Sequence, residues 1–576
     1  MPAQLTYPGV YIEELPSGVH TITGVATSIA AFFGRALRGP TDVATTINSY
    51  SDFERIFGGL WIESALGYAV RDFFLNGGSQ AIIVRLYNSD LITPNAPSAK
   101  AKMNINIKDA SGTSIGDINL EAAYEGKWGA NLRATIDYDV SEDVALRMGL
   151  TKADLFNLTV TDIGPNGITE KFLNLSIKES PRSLCRVLEN ESRLVRWDDA
   201  VSYPASQTLG VISSSDDVTE AESECKEAKK KLEAAKKATP SPTDSEIAAL
   251  EAAITAARST IATKKTEMEG SDGVPLTDAS NFIQDGAETN KKGLYALEQV
   301  DLFNILCIPP YNSAENVDSA LISAAAAYCE KRRAMLLIDS PSEWKSKKTA
   351  KEQVDNLGTK SKNAALFFPR LKQPNPLRNN QMEDFVPCGA VAGIFARTDM
   401  QRGVWKAPAG LEASLVGVPQ LSVSLTDAEN GELNPLGINC LRALPPAGRV
   451  VWGARTLQGD DRLASEWKYI PVRRTALFIE ESLFRGLKWA VFEPNDEPLW
   501  SQIRLNAGAF MHNLFRQGAF QGATPKEAYF VKCDRETTTQ SEIDSGIVNV
   551  VVGFAPLKPA EFVVIKLQQI AGQVQT

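Results

Sequence analysis

The sequence predicts a multidomain protein of mixed α/β and α+β class, with a mostly β insertion and an antiparallel helical hairpin. Strand and helix patterns alternate between residues 302 and 369, as they do where parallel strands are joined by crossover helices. Short alternating segments occupy residues 91–215, and two long stretches with helical spacing of apolar residues occupy 216–270. A chain of 576 residues has room for about four domains.

The chain begins with a segment, residues 1–20, that predicts an extended strand arm. Val10, Tyr11 and Ile12 are strand formers, and the prolines and glycines around them argue against a helix. Few nearby segments offer this strand a partner. It therefore pairs either elsewhere in the subunit or with the sheet edge of another chain.

Residues 21–90 predict the first part of a core. Ser51 and Glu54 have the spacing of a capping box, which indicates the start of a short helix. A second helix is predicted at 65–74, where apolar residues recur every three or four positions. The apolar run 81–87 predicts a buried strand.

Two insertions follow. Residues 91–215 predict a mostly β inserted domain, because strand patterns alternate with Gly, Asn and Asp turns. These patterns lie at 103–107, 131–140, 155–160 and 170–177. Residues 216–270 predict a coiled helical hairpin with a Pro-containing breaker at 239–242. The Lys- and Glu-rich faces of the hairpin indicate either solvated surface or an arm that binds a partner.

Residues 271–409 predict an α/β domain in which strands and helices alternate. The predicted strands are 302–309, 334–339 and 364–369, and the helices are 316–332 and 347–356. Residues 410–555 predict a C-terminal core domain of mixed class, with a helix at 500–515. Residues 556–576 predict a C-terminal strand arm, with the same two pairing alternatives as the first arm. Its apolar residues are Phe562, Val563, Val564 and Ile565.

Composition narrows the range of partners. The chain has 60 Lys and Arg against 70 Asp and Glu, a net charge of -10 at pH 7, so nucleic acid is not an expected partner. Seven cysteines without any CxxC motif indicate a reduced, cytosolic protein. No apolar run reaches the about 18 to 20 residues of a membrane span, and no secretion signal is apparent. We expect no direct membrane insertion.

Enzymatic chemistry finds little support in the residues. The match to G-x-S-x-G at 112–116 reads as a turn between two strands, whereas a hydrolase needs a strand-to-helix elbow. The chain has two histidines, His20 and His512, and a structural role is favoured for both. Asp339, at the end of a predicted strand, is interpreted as a turn or capping residue. No phosphate loop and no metal-ligand cluster is visible, so no catalytic, cofactor-binding or metal-binding residue is assigned.

Several motifs resemble the contractile tail sheath proteins of phages and bacterial contractile injection systems. In the first ninety residues these are YPGVYIEE (7–14), FFGRALRGP (32–40) and FLNGGSQAIIVRL (74–86), and the insertion adds EGKWGANL (125–132). A longer run includes FFPRLKQPNP (367–376), WKYIPVRRTALFIEESL (467–483), VFEPNDEPLW (491–500), GAFQGATPKEAYFVKCD (518–534) and APLKPAEFV (555–563). The motifs keep the order that they have in the family.

The resemblance implies a sheath-type core and a structural, non-enzymatic role without a cofactor. It implies a six-start helical polymer of hexameric rings, formed by the chain itself around an inner tube protein. Baseplate proteins would anchor this sleeve, and tail-terminator or cap proteins would close it. Its contraction would drive the tube through a target envelope. Synthesis and assembly in the bacterial cytoplasm follow from the same resemblance.

The resemblance also implies roles for particular residues. In the family, both terminal arms donate strands to neighbouring subunits, and the receiving core corresponds to residues after about 410 here. The implied donors are Val10, Tyr11 and Ile12 in one arm and Phe562, Val563, Val564 and Ile565 in the other. On the helix at 500–515, Gln502, Arg504 and Asn513 are candidates to face the tube.

The hairpin at 216–270 is a departure, since the family pattern gives it no fixed counterpart. We expect it to project from the outer surface and to be dispensable for tube packing. A non-contractile filament or capsid-type subunit is an alternative function, and a soluble α/β hydrolase is a second. The sequence leaves open whether the particle is a virion, an extracellular injector or an intracellular one.

Overall fold

The computed structural model describes residues 20–89, 99–108, 114–165, 167–198, 214–237, 243–311 and 316–567. The predicted N-terminal donors Val10, Tyr11 and Ile12 lie outside these residues. The first described range forms strands β1 (Ala30–Gly34), β2 (Thr45–Ile47) and β3 (Ala81–Arg85) and helices α1 (Tyr50–Phe57) and α2 (Leu66–Leu75).

Helix α1 begins earlier than its predicted capping box. Its N-cap is Ser49, whose hydroxyl oxygen accepts a hydrogen bond from the Asp52 amide at 3.1 Å. The assignment of Ser51 and Glu54 as the cap was therefore wrong by two residues. The difference arises because the Ser and the acidic residue three positions later occur twice in this stretch, and the extended backbone of Ser49 decides between them.

The insertion is built from two antiparallel sheets. Its elements are β4 (Lys102–Lys108), β5 (Ser114–Ala122), β6 (Leu132–Asp137), α3 (Glu142–Arg147), β7 (Phe156–Asp162), β8 (Thr169–Leu175), α4 (Leu184–Glu191), β9 (Val195–Trp197) and β10 (Ser214–Ser215). One sheet has the order β4-β5-β9 and the other β10-β6-β7-β8. Apolar side chains of both sheets, such as Ile105, Leu120 and Leu158, form one shared core.

The predicted hairpin is present as α5 (Asp217–Lys236) and α6 (Asp244–Met268). Asp216 caps α5 and accepts hydrogen bonds from the amides of Val218 and Thr219 at 3.1 and 3.0 Å. Val218 and Met268, at the two ends of the hairpin's root, are buried in the core of the insertion. The hairpin thus grows directly out of the β domain.

The rest of the chain alternates between helices and strands before it becomes mostly helical. Up to residue 402 it forms α7 (Ser280–Ile283), α8 (Ala287–Asn290), β11 (Ile305–Cys307), α9 (Ser319–Lys331), β12 (Met335–Asp339), α10 (Lys347–Gln353), β13 (Ala364–Phe368), β14 (Leu371–Asn375), β15 (Gln381–Phe385) and α11 (Cys388–Arg402). Beyond it come β16 (Gln420–Leu421), α12 (Asp427–Leu433), β17 (Ile438–Leu444), β18 (Gly448–Val451), α13 (Ile470–Gly486), α14 (Glu497–Arg516), α15 (Pro525–Ala528), β19 (Tyr529–Lys532), α16 (Gln540–Asp544) and β20 (Val551–Phe554).

One eight-stranded sheet joins distant parts of the chain, in the order β18-β17-β13-β12-β11-β1-β3-β2. The inner strands from β17 to β3 are parallel, as the alternation of strands and helices predicted for β11, β12 and β13, and β18 and β2 are antiparallel edge strands. The sheet takes strands from three predicted segments, 21–90, 271–409 and 410–555. Helix α9 covers one face, and α2 and α11 cover the other.

Helices α2 and α11 pack so closely that a glycine is required between them. A Cβ at Gly389 would lie 2.0 Å from the Ala69 carbonyl oxygen. Any side chain at this position would therefore separate the two helices. This contact explains the small residues at the start of α11.

Three buried arginines lie where the core meets the insertion and the segment that directly follows the hairpin. The Arg38 guanidinium pairs with the Asp162 carboxylate of β7. Arg85 Nη2 donates to the Glu125 carbonyl oxygen at 2.9 Å, and Arg35 Nη2 donates to the Asp272 carbonyl oxygen at 3.0 Å. Arginine suits this joint because its planar group can satisfy several acceptors at once.

The C-terminal part packs α13, α14 and an antiparallel pair of strands around its own core. Phe510, Met511 and Leu514 of α14 lie in this core, and Val552 and Phe554 of β20 pack against it. Within the described ranges, no helix has both the length and the apolar content to cross a bilayer.

Candidate assembly surfaces

The carboxyl ends of β11 and β12 border a cavity of about 390 Å³. At its floor, Asp339 accepts a hydrogen bond from the Cys388 amide at the start of α11, at 2.8 Å. Burial raises the pKa of Asp339 to about 6. Arg370 Nε donates to the Ser340 carbonyl oxygen at 3.0 Å and closes the strand end. Asp339 thus has the capping role that the sequence predicted, at the place where an open α/β sheet would bind a ligand.

The two histidines and the G-x-S-x-G match lie apart from this cavity. His20 stacks on Trp489 with ring centroids 4.3 Å apart, and His512 Nδ1 lies 3.2 Å from the Tyr529 hydroxyl. Ser114 begins β5, which pairs with β4 in antiparallel fashion. The motif therefore connects two strands, and the helix that a nucleophile elbow requires is replaced by a strand.

The C-terminal arm is the most apolar exposed surface among the described residues. From 557 to 567 the chain forms neither helix nor strand. Its side chains are almost fully exposed: Phe562 76%, Val563 83%, Val564 78%, Ile565 79% and Leu567 94%. Consecutive exposed apolar residues of this kind are costly in a monomer and mark a surface that another molecule covers.

Strands β19 and β20 form a two-stranded ribbon whose outer edges are open to pairing with a further strand. The two strands pair from Tyr529 with Phe554 to Lys532 with Val551. Within the described residues, neither strand pairs with another strand on its outer side. An isolated two-stranded sheet is marginally stable in water, and its open edges offer main-chain donors and acceptors to further strands.

One face of the ribbon also remains apolar. Phe530 is half exposed, and its ring lies directly over Gly553 of the opposite strand, where a Cβ would come within 2.3 Å of it. The ring shields a glycine that has no side chain of its own. The ribbon thus combines two open edges with an exposed aromatic residue.

The predicted tube-facing residues lie along α14. Gln502 and Asn513 are exposed. Arg504 is partly buried, because its guanidinium pairs with the Glu497 carboxylate at 2.6 Å and donates to the Cys533 carbonyl oxygen. The structure therefore leaves two of the three side chains free to meet a partner and engages the third within the subunit.

Two features escaped the sequence reasoning. Phe492 is fully exposed and has a φ of 70°, a conformation that a bulky residue rarely adopts. Glu561, directly before the apolar arm, forms a buried ion pair with Arg455. In the sequence, Glu561 stands out only as a single acidic residue at the border of an apolar run. Phe492 lies in the VFEPND motif, to which the sequence analysis assigned no role.

Profiles of two sheath domains match the second half of the chain. The profile of the phage tail sheath protein central domain matches residues 285–457, and that of the phage tail sheath C-terminal domain matches 464–570. A protein described as a prophage major tail sheath protein of Pseudomonas aeruginosa (strain UCBPP-PA14) is 27% identical over 259 residues, 44% of this chain and 62% of that protein. The tail sheath protein of Vibrio phage KVP40 is 28% identical over 186 residues, 32% of this chain and 26% of that protein. The matched region is therefore less than two thirds of each relative.

The fold is similar to that of solved sheath proteins along nearly the whole chain. The sheath of an extracellular contractile injection system in its contracted state has a TM-score of 0.53 at 20% identity, and the match covers 99% of each chain. A sheath tail protein of Listeria innocua has a TM-score of 0.54 at 12% identity, covering 93% of this chain and 97% of that one. The domain profiles and the curated tail sheath relatives show that the chain belongs to the contractile tail sheath protein family, as its motifs predicted, and the solved structures show that it shares the fold.

Proposed function

We propose that this chain is the repeating subunit of a contractile sheath. The observation that carries the proposal is the C-terminal arm, whose apolar residues from Phe562 to Ile565 are exposed in a chain of the tail sheath family. Burying one such side chain is worth about 1.5 to 3 kcal/mol. Each copy therefore has a strong reason to place its arm on another molecule.

The acceptor of the arm is the β19–β20 ribbon of a neighbouring copy. Its open edges supply the main-chain hydrogen bonds, and Phe530 supplies apolar contact for the incoming side chains. The N-terminal arm, with Val10, Tyr11 and Ile12, extends the same exchange to a second neighbour. Because donor and acceptor are different surfaces, the contact is heterologous and can link many copies into rings or helical filaments.

Contraction in this mechanism needs no fuel. Subunits are trapped in an extended lattice at assembly and pass to a compact lattice that buries more intersubunit surface. The eight-stranded sheet and its helices move as rigid bodies, while the arms change direction at their prolines and glycines. The role is structural, in keeping with the family, and the Asp339 cavity has no part in it.

The finer assignments of partners and place follow from family membership. The sleeve is a six-start helical polymer of hexameric rings around an inner tube protein, anchored on a baseplate and closed by terminator or cap proteins. Gln502 and Asn513 on α14 are exposed and suited to contact the tube; Arg504 contributes less, because Glu497 already neutralises it. The subunit is made and assembled in the bacterial cytoplasm.

Electron microscopy of the purified full-length chain tests the proposal. We expect hollow, striated tubes in the compact lattice, because no inner tube is present to hold the extended one. Addition of the tube protein during assembly should give longer, narrower sleeves. Sleeves of one fixed geometry under both conditions would support a non-contractile filament instead.

Truncation after Glu561 tests the carrying observation itself. We expect a folded monomer with the melting temperature of the full chain, because the removed residues that the structure describes contact little of the subunit. Removal of residues 1–15 should have the same outcome. Normal sheath formation by either truncation would refute the corresponding arm.

A further inference from the structure

The root of the C-terminal arm is held by one buried ion pair. Arg455 follows β18 in the central domain, and its side chain is 1% exposed. Its Nε and Nη2 donate to the two carboxylate oxygens of Glu561 at 2.7 and 2.6 Å, a bidentate arrangement. The Tyr469 hydroxyl donates to the same carboxylate at 3.2 Å. Such charge-assisted, two-pronged contacts fix both position and direction.

Arg455 is itself fixed before it meets the arm. Its Nη1 donates to the carbonyl oxygens of Asn434 and Gly459 at 3.1 and 3.0 Å. The same nitrogen lies 3.1 Å from the Asp461 carboxylate. The guanidinium therefore belongs to the rigid core, and the arm attaches to a preformed group.

The chain between the ribbon and Glu561 has little other support. The last contacts of the ribbon are the Ala555 amide with the Ala528 carbonyl oxygen, at 2.8 Å, and the pairing of Phe520 with Pro556. Among the described residues, 557–560 make no hydrogen bond to the core. This stretch covers a cavity of about 730 Å³ that Trp405 and Trp452 also line. Packing beneath the stretch is therefore sparse.

We propose that the Arg455–Glu561 pair is a clasp that fixes where the C-terminal arm leaves the subunit and ties the arm to the central domain. The inference deepens the proposed function and rests on it for its meaning in the assembled sheath. Arg455 lies in the matched central domain, 285–457, and Glu561 in the matched C-terminal domain, 464–570. Pull on the arm is thus passed directly to the eight-stranded sheet.

Release of the clasp would lengthen the free arm. Without it, the flexible chain begins after Pro556 and gains the residues 557–561, about 17 Å of reach at roughly 3.3 Å per residue. A longer tether spreads the apolar segment over a larger volume and lowers its effective concentration at the acceptor. The clasp therefore favours assembly by preorganisation, without any contact to the neighbour.

The test compares Glu561→Gln with Glu466→Gln in the full-length chain. Both changes remove one negative charge, but Glu466 is exposed and lies outside the clasp. Hydrogen–deuterium exchange is measured on dilute, unassembled protein. We expect exchange of the Ala555 amide, whose hydrogen bond to the Ala528 carbonyl oxygen is the nearest one before the clasp, to become about 10 to 100 times faster in Glu561→Gln, given that hydrogen bonds to charged groups are worth about 1.5 to 3 kcal/mol. Glu466→Gln should leave it unchanged.

A second pair of variants separates the clasp from a general loss of stability. Tyr469→Phe removes one hydroxyl of the clasp and should speed exchange of the Ala555 amide by less than Glu561→Gln does. Glu561→Asp keeps the charge and should restore part of the protection. Unchanged exchange in Glu561→Gln would overturn the clasp. Because this measurement uses the unassembled chain, it stands even if no sheath forms.

The assembled state supplies the remaining readout. We expect Glu561→Gln to form sheaths only at several times the concentration that the unaltered chain needs. Equal assembly despite faster exchange would overturn the role of the clasp in assembly, while its role in the subunit would stand.

Discussion

The helical hairpin and the C-terminal arm are both departures from the compact core, and they differ in where their apolar residues lie. In the hairpin, Val218, Ala221, Cys225 and Ile254 are buried between its own helices and the insertion. In the arm, Leu557 is half-buried, but every large apolar side chain from Phe562 to Leu567 is exposed. The hairpin buries its large apolar side chains within the subunit, whereas those of the arm are left exposed and available to a partner.

The segment with the most regular sequence pattern is therefore not the one proposed to bind a neighbouring subunit. The hairpin has the clearest helical pattern in the sequence, yet none of its described large apolar side chains is exposed. The arm forms no regular structure in the subunit, because a single strand has no donors and acceptors to pair with. We propose that the C-terminal arm becomes a paired strand only when the subunits assemble.

The largest expected effect comes from charges in the arm. Val563→Asp together with Val564→Asp should prevent sheath formation, since burying two carboxylates without partners costs far more than the two valines contribute. The concentration at which sheaths sediment should rise more than about 100-fold. The melting temperature of the monomer should stay the same.

A matched pair of charges in the hairpin is the control. Ala249 and Ala256 are exposed on α6, so Ala249→Asp with Ala256→Asp adds the same charge to a solvated face. This variant should assemble like the unaltered chain. Loss of assembly in both double variants would mean that net charge, and not the arm, limits polymerisation.

The next largest effect is on the stability of the subunit, and here a change in the hairpin should matter while a change in the arm should not. Val218→Ala at the hairpin root should lower the free energy of unfolding of the insertion by about 2 kcal/mol, since Val218 is fully buried. Hydrogen exchange of the β6 amides measures it. Val563→Ala in the arm, which is 83% exposed, should leave the same exchange unchanged. A similar loss from both would contradict the assignment of the arm as unpartnered.

Much of this architecture follows from local pattern. The parallel order of β11, β12 and β13 could be predicted because each strand is a short apolar run followed by an amphipathic helix. The hairpin could be predicted because its two stripes keep helical spacing on either side of a breaker. The entry of β1 and β3 into the same sheet could not, because no local signal pairs residues as far apart as Ala30 of β1 and Ile305 of β11.

The candidate site shows the same division. The arms were visible as apolar strand patterns bounded by prolines, and the exposure of the C-terminal arm in the subunit agrees with donation to another chain. Arg455 and Glu561 were not, since a charge pair across more than 100 residues leaves no periodic trace. Nor does a sequence report the left-handed conformation of Phe492, which the surrounding loop imposes. Packing and electrostatics between distant segments decided what pattern alone could not.

A smaller effect is the loss of the Arg455–Glu561 clasp at the root of the arm as the pH falls. Burial raises the pKa of Glu561, but the hydrogen bonds from Arg455 and the charges of Arg455 and Lys468 outweigh it and hold the pKa below its ordinary value of 4.5. Since the folded state has the lower pKa, the clasp stabilises the root above pH 4.5 and loses this contribution as the pH falls through the folded value. Tyr469 and Asp461 also face the pair.

Hydrogen exchange of the Ala555 amide as a function of pH, corrected for intrinsic rates, measures this effect. Protection should decline in the unaltered chain as the pH falls below the ordinary value of 4.5. In Glu561→Gln the same amide should show the weaker protection at every pH. A decline of equal size in Glu561→Gln would show that the root responds to a different group.

Phe492 is also an exposed apolar residue, but it lies outside the arm. Replacing it should have a smaller effect, on the stability of the monomer. Its φ of 70° is unfavourable for a bulky side chain, and full exposure means that the ring stabilises nothing in the monomer. Asn tolerates this conformation better. Phe492→Asn should therefore raise the free energy of unfolding by about 0.5 to 1 kcal/mol, measured by denaturant titration. A loss of stability would show that the ring packs within the subunit.

The smallest effect should come from removing most of the hairpin. Replacing residues 229–258 with a four-residue Gly/Ser turn keeps Val218, Met268 and the ion pair of Arg133 with Glu222, which connect the root to the insertion. Because the removed helices pack mainly on each other, the retained part loses only minor exposed contacts at the cut, such as the ion pair of Glu227 with Lys231 and the hydrogen bond of Thr260 with Ala256. Sheaths should form at the usual concentration and show less density at the outer surface by electron microscopy. Failure of this variant to assemble, with a normal melting temperature, would mean that the hairpin meets a neighbouring copy through its polar faces, and polarity would then no longer separate the hairpin from the arm.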